Sequence, residues 1–76
     1  MKLPISDRLR CCAAQVPQGS RVADIGADHG YLGIFLLQTG QAKFVHASEL
    51  REGPLHRAME NAARYGVAEK MRFSQA

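Results

Sequence analysis

Apolar residues occur along the chain in two patterns, short continuous runs and helical spacing. Together these predict three strands that alternate with helices. The segment 21–25 is apolar at every position after Arg21 except Asp24, which is typical of a strand buried on both faces of a parallel sheet. The segments 43–48 and 71–74 predict a second and a third strand, and Glu49 directly follows the second.

Three stretches with helical spacing predict the helices. The first covers residues 5–16, with Ser6 as its cap, and the second covers residues 31–39, where apolar residues occur on almost every side. The third opens at Gly53-Pro54 and ends at Gly66. The predicted inner face of the first helix consists of Ile5, Leu9, Cys12, Ala13 and Val16. The third helix has Leu55, Ala58, Met59 and Ala62 inside, and Arg57, Glu60, Asn61 and Arg64 outside.

The order of these elements predicts an α/β fold. Right-handed crossovers give a partial Rossmann-like sheet of three parallel strands in the order 3-2-1, with a leading helix and two crossover helices. Strand one would be an exposed edge, which such sheets seldom leave bare. We therefore expect residues 1–76 to be the N-terminal half of a doubly wound domain, truncated before strand four, and we expect self-association through strand one.

Composition narrows the class. A chain of 76 residues with 46% hydrophobic and 22% charged residues suits one small globular domain. It has neither an apolar run long enough to cross a membrane nor a signal peptide, so we expect a cytoplasmic protein. Cys11 and Cys12 are adjacent and are expected to be free thiols, and no metal-ligand spacing occurs. A net charge of +3 is too small to indicate a nucleic-acid partner by itself.

The turn after the first strand is the strongest candidate site. A strand that leads through a glycine-containing turn into a helix places backbone N–H groups where an anionic ligand can bind. A phosphate loop is excluded because the Gly-Lys-Ser/Thr ending is missing. A dinucleotide fingerprint beginning at Gly26 fails as well, because it requires glycine where the chain has Asp28 and Tyr31.

The run Asp24-Ile25-Gly26-Ala27-Asp28-His29-Gly30 resembles the Asp-x-Gly-x-Gly-x-Gly loop of class I S-adenosylmethionine-dependent methyltransferases. Gly26 and Gly30 would let the backbone approach this cofactor, and Asp24 would reach its ammonium group. Glu49 would accept both ribose hydroxyl protons, or it is a solvated residue that caps the third helix. Ala27 and Leu50 complete the expected cofactor contacts.

Further segments make the resemblance more specific. Ser6-Asp7-Arg8-Leu9, Val16-Pro17-Gln18-Gly19 and the pair Gly53-Pro54 accompany the loop, and together they resemble the N-terminal portion of the bacterial tRNA (adenine-22-N1)-methyltransferase family. In that family Asp-His stands within the loop, so Asp28 becomes a signature. The resemblance implies methyl transfer to adenine N1 in tRNA, by in-line positioning and exclusion of water. It also implies that the 76-residue chain alone is inactive.

Several roles stay open on the sequence. Asp28, a candidate catalytic residue, would contact the cofactor ammonium or the exocyclic amine of the adenine, or would form an Asx-turn. His29, the other candidate, lines the substrate side of the turn or caps the second helix. Tyr31 stacks on a base or packs on the sheet. Arg8 touches tRNA phosphate or the domain surface. For the whole chain, the alternative is a small non-enzymatic α/β module.

Overall fold

Three parallel strands form one sheet in the computed structural model of the chain, which describes residues 3–76. β1 spans Ser20–Ile25, β2 spans Ala42–Glu49 and β3 spans Met71–Gln75. The order is β1-β2-β3, with β2 in the centre. The predicted parallel sheet of order 3-2-1 is therefore confirmed, and each strand is one or two residues longer than predicted.

Helices precede and connect the strands as predicted. α1 spans Asp7–Ala14, α2 spans Tyr31–Gln38 and α3 spans Glu52–Arg64, and a short 3-10 helix, Ala68–Lys70, leads into β3. The sequence did not predict this last turn. The predicted first helix, 5–16, was too long at both ends, because the Ser6 side chain caps the helix and Gln15 already ends it.

Both crossover helices lie on the same face of the sheet. α2 packs on β2 and β1, and α3 packs on β3 and β2, as right-handed crossovers between strands in this order require. The largest fully buried side chains between these layers are Ile34, Leu36 and Val45. Gly33 allows the close approach of α2, because a Cβ there would lie 2.9 Å from Cγ1 of Val45.

The prediction that β1 is buried on both faces was wrong. Exposure alternates along β1, and Ile25 is 75% exposed on the face that no helix of residues 3–76 covers. The apolar run reflected a strand with one covered face, which the sequence pattern cannot distinguish from a strand covered on both.

Two helix faces are rotated from their predicted positions. In α1, Cys12 is exposed, because the helix packs against α2 mainly through the buried Ala13. In α3, Asn61 is buried and Met59 is 44% exposed, the reverse of the prediction. The burial of Asn61 is stabilised by a hydrogen bond from its Nδ2 to the carbonyl oxygen of His29, 2.9 Å away.

Within residues 3–76, no helix is long and apolar enough to span a membrane. The same part of the chain contains no cluster of three or more His, Cys, Asp or Glu side chains that could hold a metal ion. Cys11 and Cys12 are free thiols, as predicted, and both are exposed.

Candidate functional site

The β1–α2 turn is attached to the end of β2 by backbone hydrogen bonds. The N–H groups of Gly26 and Ala27 both donate to the carbonyl oxygen of Ser48, at 2.8 and 3.1 Å. Gly30 N–H then donates to Ala27 O at 2.8 Å and closes the turn. The carboxyl ends of β1 and β2 therefore form one edge, as the parallel sheet predicts.

Left-handed backbone conformation recurs through this turn. Gly26 has a φ of 72°, Gly30 has 77° and Asp28 has 54°. Asp28 is the only residue other than glycine with a positive φ in the described part of the chain, and aspartate is one of the few side chains that tolerate this region. This conformation aims the N–H of Asp28 at β2, where it donates to Oε2 of Glu49 at 2.9 Å.

Two backbone N–H groups hold the Glu49 carboxylate in place. In addition to Asp28, Leu50 N–H donates to Oε1 at 2.9 Å. The pKa of Glu49 is lowered, chiefly by the Asp28 hydrogen bond, with further contributions from the N–H groups of Leu50 and Arg51 and from the Arg51 charge. The alternative that Glu49 caps the third helix was wrong, since its side-chain hydrogen bonds in residues 3–76 go to Asp28 and Leu50.

Asp24 lies at the end of β1 in a different environment. Its side chain faces a cleft of about 270 Å³ that opens between α1, β1 and the turn. Burial raises the pKa of the Asp24 carboxyl, and the negative charge of Glu49 raises it further. The lining of this cleft, called here the turn cleft, consists of Arg8, Leu9, Asp24, Gly26, Ala27, Asp28, His29, Tyr31 and Leu32.

Five of the predicted site residues line the turn cleft, and three others lie beside it. Gly26 leaves open space, because a Cβ there would meet no atom within 4 Å among the described residues. Gly30, by contrast, is buried, and a Cβ there would come within 3.1 Å of Ala58 in α3. The glycine at position 30 therefore serves helix packing and the left-handed turn. Glu49 and Leu50 are at the adjacent end of β2.

Leu50 projects from this end with its side chain 67% exposed. Its carbonyl oxygen accepts a hydrogen bond from Nε2 of Gln75, at 3.0 Å, and Ala76 N–H donates to Glu49 O at 2.9 Å. The end of β3 thus extends the edge beyond Glu49.

The aromatic residues of the turn are ordered by their neighbours. His29 Nδ1 lies 3.3 Å from Oδ2 of Asp28, and the His29 ring stacks on the Tyr31 ring with centroids 5.5 Å apart. Gly30, not His29, is the N-cap residue of α2, and no side-chain cap bond forms there. Tyr31 also packs against the core. Among residues 3–76 the Asp28 carboxylate accepts no backbone hydrogen bond, so the Asx-turn does not form.

Sequence reasoning missed the apolar wall of the turn cleft and left Arg8 undecided. Leu9 and Leu32, half-buried, supply this wall. The apolar spacing of the first helix predicted that Leu9 faces inward. Placing Leu9 beside the turn would also have required knowledge of how α1 packs on α2. Arg8 lines the cleft one residue earlier on α1.

Comparison with known proteins gives the geometry a family context. The model of the methyltransferase domain family matches residues 5–76. The tRNA (adenine(22)-N(1))-methyltransferase of Bacillus subtilis (strain 168) is 33% identical over 66 residues, which are 87% of this chain and 28% of that protein.

Two solved structures share the fold and much of the sequence. A protein of the NADB-Rossmann superfamily from Streptococcus agalactiae matches with a TM-score of 0.94 and 42% identity, over 100% of this chain and 34% of that one. TrmK of M. capricolum, in complex with S-adenosyl-homocysteine, matches with a TM-score of 0.90 and 30% identity, over 95% of this chain and 32% of that one.

The chain thus spans about a third of the length of the relatives that it matches. The predicted resemblance to methyltransferases, and to the tRNA (adenine-22-N1) group within them, is confirmed by these similarities. Since the family model covers nearly all of the sequence, the chain belongs to the methyltransferase domain family.

Proposed function

We propose that the edge formed by the turn cleft and Glu49 binds S-adenosylmethionine, and that the protein transfers the methyl group to adenine N1 in tRNA. The observation that carries this proposal is the pair of carboxylates, Asp24 and Glu49, at the ends of neighbouring parallel strands, on either side of a turn that is open at Gly26. The relative from M. capricolum has a similar fold and binds S-adenosyl-homocysteine, the product formed from this cofactor.

The residues present fit the polar groups of the cofactor. Glu49, ionised and fixed by two N–H donors, retains lone pairs for both ribose hydroxyls. Asp24 would accept from the ammonium group, which would also compensate the unfavourable burial of its charge. Ala27 lies in the turn, beside the place proposed for the cofactor. The exposed Leu50 would cover one face of the cofactor's adenine.

The cofactor, when bound, supplies an electrophilic methyl group on a sulfonium. Adenine N1 carries a lone pair, so the chain's own residues need to position and desolvate rather than to remove a proton before attack. Asp28 and His29 line the cleft beside the place proposed for this exchange. The Asp28 carboxylate would contact the cofactor ammonium or the exocyclic amine of the adenine, and His29 would line the substrate side.

The choice of adenine N1 in tRNA follows the B. subtilis relative, which carries that activity in its name. A tRNA substrate implies a cytoplasmic protein. Because the chain corresponds to 28% of that relative, we expect the 76 residues alone to bind the cofactor without transferring methyl to tRNA. A radiolabelled methyl transfer assay with tRNA checks this, and measurable turnover by the chain would contradict it.

Calorimetric titration with S-adenosylhomocysteine tests the cofactor site. Glu49→Gln removes the acceptor charge with little change in shape, and we expect affinity to fall about tenfold to a hundredfold, the range for lost hydrogen bonds to a charged group. Glu69→Gln, which removes the same charge from the exposed 3-10 helix, is the matched control and should leave affinity unchanged. Equal affinity of wild type and Glu49→Gln would contradict the proposal.

The free edge of β1 favours a second candidate, a non-enzymatic α/β module that self-associates. β1 has a hydrogen-bonded neighbour on one side only within the described sheet, and Ile25 exposes an apolar side chain on the uncovered face beside this edge. Light scattering should then show a dimer that Ile25→Lys weakens. A monomer at high protein concentration contradicts this candidate, whereas binding of S-adenosylhomocysteine supports the methyltransferase.

A further inference from the structure

A second cleft, of about 230 Å³, opens on the other side of the His29 and Tyr31 rings. We call it the α3 cleft, because its remaining lining comes from one helix. That lining consists of Arg57, Glu60, Asn61 and Arg64. The two clefts share His29 and Tyr31, so they lie next to each other.

The shared wall is a pair of flat rings that stack on each other. The planes of His29 and Tyr31 differ by only 9°, with centroids 5.5 Å apart. Asn61 ties the backbone at His29 to α3, because its buried side-chain amide donates to the His29 carbonyl oxygen at 2.9 Å. Parallel aromatic rings at a surface provide the stacking platform that unpaired nucleobases use.

The opposite wall is basic. Arg57 and Arg64 are both exposed, and neither has a carboxylate oxygen within 4.0 Å among residues 3–76. Glu60 is the one acidic residue in the lining, so positive charge predominates. The guanidinium of Arg57 reaches back toward Gly53 at the start of α3, with Nη1 3.7 Å from the position that a Cβ would take there. The charge of Arg57 therefore lies toward the amino-terminal end of α3, the end nearer in sequence to Glu49.

We propose that the α3 cleft binds single-stranded RNA next to the methyl-transfer site, with a base on the His29–Tyr31 pair and phosphates on Arg57 and Arg64. This inference rests on the proposed function, since it makes the α3 cleft the continuation of the substrate path. Guanidinium groups next to flat aromatic rings favour RNA over an acidic peptide, which has negative charge but few planar groups to stack. The sequence alone had assigned both arginines to a solvated face.

The test is fluorescence anisotropy with a labelled single-stranded oligoadenylate at low salt. The double variant Arg57→Ala with Arg64→Ala should lose roughly tenfold in affinity, and its salt dependence should fall by about two counterions. Lys43→Ala with Lys70→Ala is the matched control. It removes the same charge at the amino-terminal ends of β2 and β3, away from the edge that carries Glu49. We expect the control to bind within about twofold of wild type.

A second measurement locates the RNA without substitutions. In NMR titrations, the ring signals of His29 should shift. Those of His46 should not, because His46 follows Val45, which faces α2, and therefore lies on the opposite face of the sheet. Arg57→Lys with Arg64→Lys keeps the charge and should retain most of the affinity, which separates loss of binding from loss of folding.

Three results would overturn the inference: no RNA binding by wild type, equal loss in the two alanine double variants, or polyglutamate that competes as well as RNA does. Titration with S-adenosylhomocysteine runs in parallel. Absence of its binding together with intact, arginine-dependent RNA binding would refute the proposed cofactor site and leave the RNA cleft standing.

Discussion

Asp24 and Glu49 lie close to the carboxyl ends of the neighbouring strands β1 and β2, yet their pKa values shift in opposite directions. Asp24 faces a cleft, and burial raises its pKa. Glu49 is at the protein surface, where the Asp28 N–H above all lowers its pKa. The difference arises from burial at Asp24 and from backbone donors at Glu49: two N–H groups hydrogen-bond to Glu49, and no hydrogen bond to Asp24 is found within residues 3–76.

This contrast indicates that the two carboxylates suit different ligand groups. The Glu49 carboxylate is already oriented and ionised, so a neutral partner such as a ribose can bind without reorganising it. Asp24 lacks compensation until a cation arrives, which makes it selective for a positively charged ligand group. On the proposed function, the same carboxylate chemistry would therefore serve two different ligand groups, because burial and backbone donors differ between the two positions.

The largest expected effect is on the pH dependence of ligand affinity. Lowering the pH protonates Asp24 before Glu49, because its pKa is raised and that of Glu49 is lowered. Affinity for S-adenosylhomocysteine should therefore fall in two steps, each about tenfold or more. Calorimetry across the acid range measures both steps.

Each step can be assigned by a variant. Asp24→Asn should bind more weakly at neutral pH and lack the upper step, and Glu49→Gln should lack the lower one. Loss of the upper step in Glu49→Gln instead would show that the two carboxylates are assigned the wrong way round. Circular dichroism at each pH keeps unfolding separate from titration.

A smaller effect is expected on stability. A carboxyl whose pKa is raised on folding stabilises the fold below its ordinary pKa of 3.8, and this contribution is lost as pH rises through the folded value. At neutral pH the charged Asp24 therefore opposes folding. Asp24→Asn should increase the free energy of unfolding at pH 7 by about 1 kcal/mol, a typical gain from relieving such a conflict, as measured by urea denaturation.

The stabilisation by Asp24→Asn should vanish below pH 3.8, where the wild-type residue is protonated in both states. For Glu49 the sign reverses: its lowered pKa stabilises the fold above the ordinary value of 4.5, and Glu49→Gln should lose that at neutral pH. Destabilisation by Asp24→Asn at pH 7 would mean that the carboxylate has a compensating partner.

Most of the fold could be predicted because its signals are local. Apolar runs, the Ser6 cap and the glycine stops fix the elements, and right-handed crossovers fix their order. What failed depends on tertiary packing. The burial of Asn61 results from where α3 meets the turn, which no periodicity in α3 alone reveals. The uncovered face of β1 results from the packing of both crossover helices on the other face of the sheet.

The candidate site divides in the same way. Spacing along the chain was enough to predict that Asp24, the turn and Glu49 lie at one edge of the sheet. It could not give the hydrogen bond from Asp28 to Glu49, because that bond requires a left-handed residue at position 28, and glycine is the residue that ordinarily signals such a conformation. Nor could it show that Ala58 leaves too little room for a side chain at position 30.

The smallest effects concern Asp28 and separate its backbone from its side chain. Asp28→Gly keeps the N–H and suits a φ of 54°, so Glu49 should titrate no higher than in wild type. Asp28→Ala keeps the same N–H but strains the left-handed turn, and should cost about 1 kcal/mol of unfolding free energy. Carboxyl carbon NMR follows the Glu49 titration, and urea denaturation follows the cost.

A raised Glu49 pKa in Asp28→Gly would show that the Asp28 side chain, rather than its N–H, orients the carboxylate. If the pKa instead stays low while S-adenosylhomocysteine binds less tightly, the Asp28 carboxylate contacts the ligand itself. In that case the aspartate at this loop position, where the class pattern has glycine, adds a ligand contact without giving up the turn that holds Glu49.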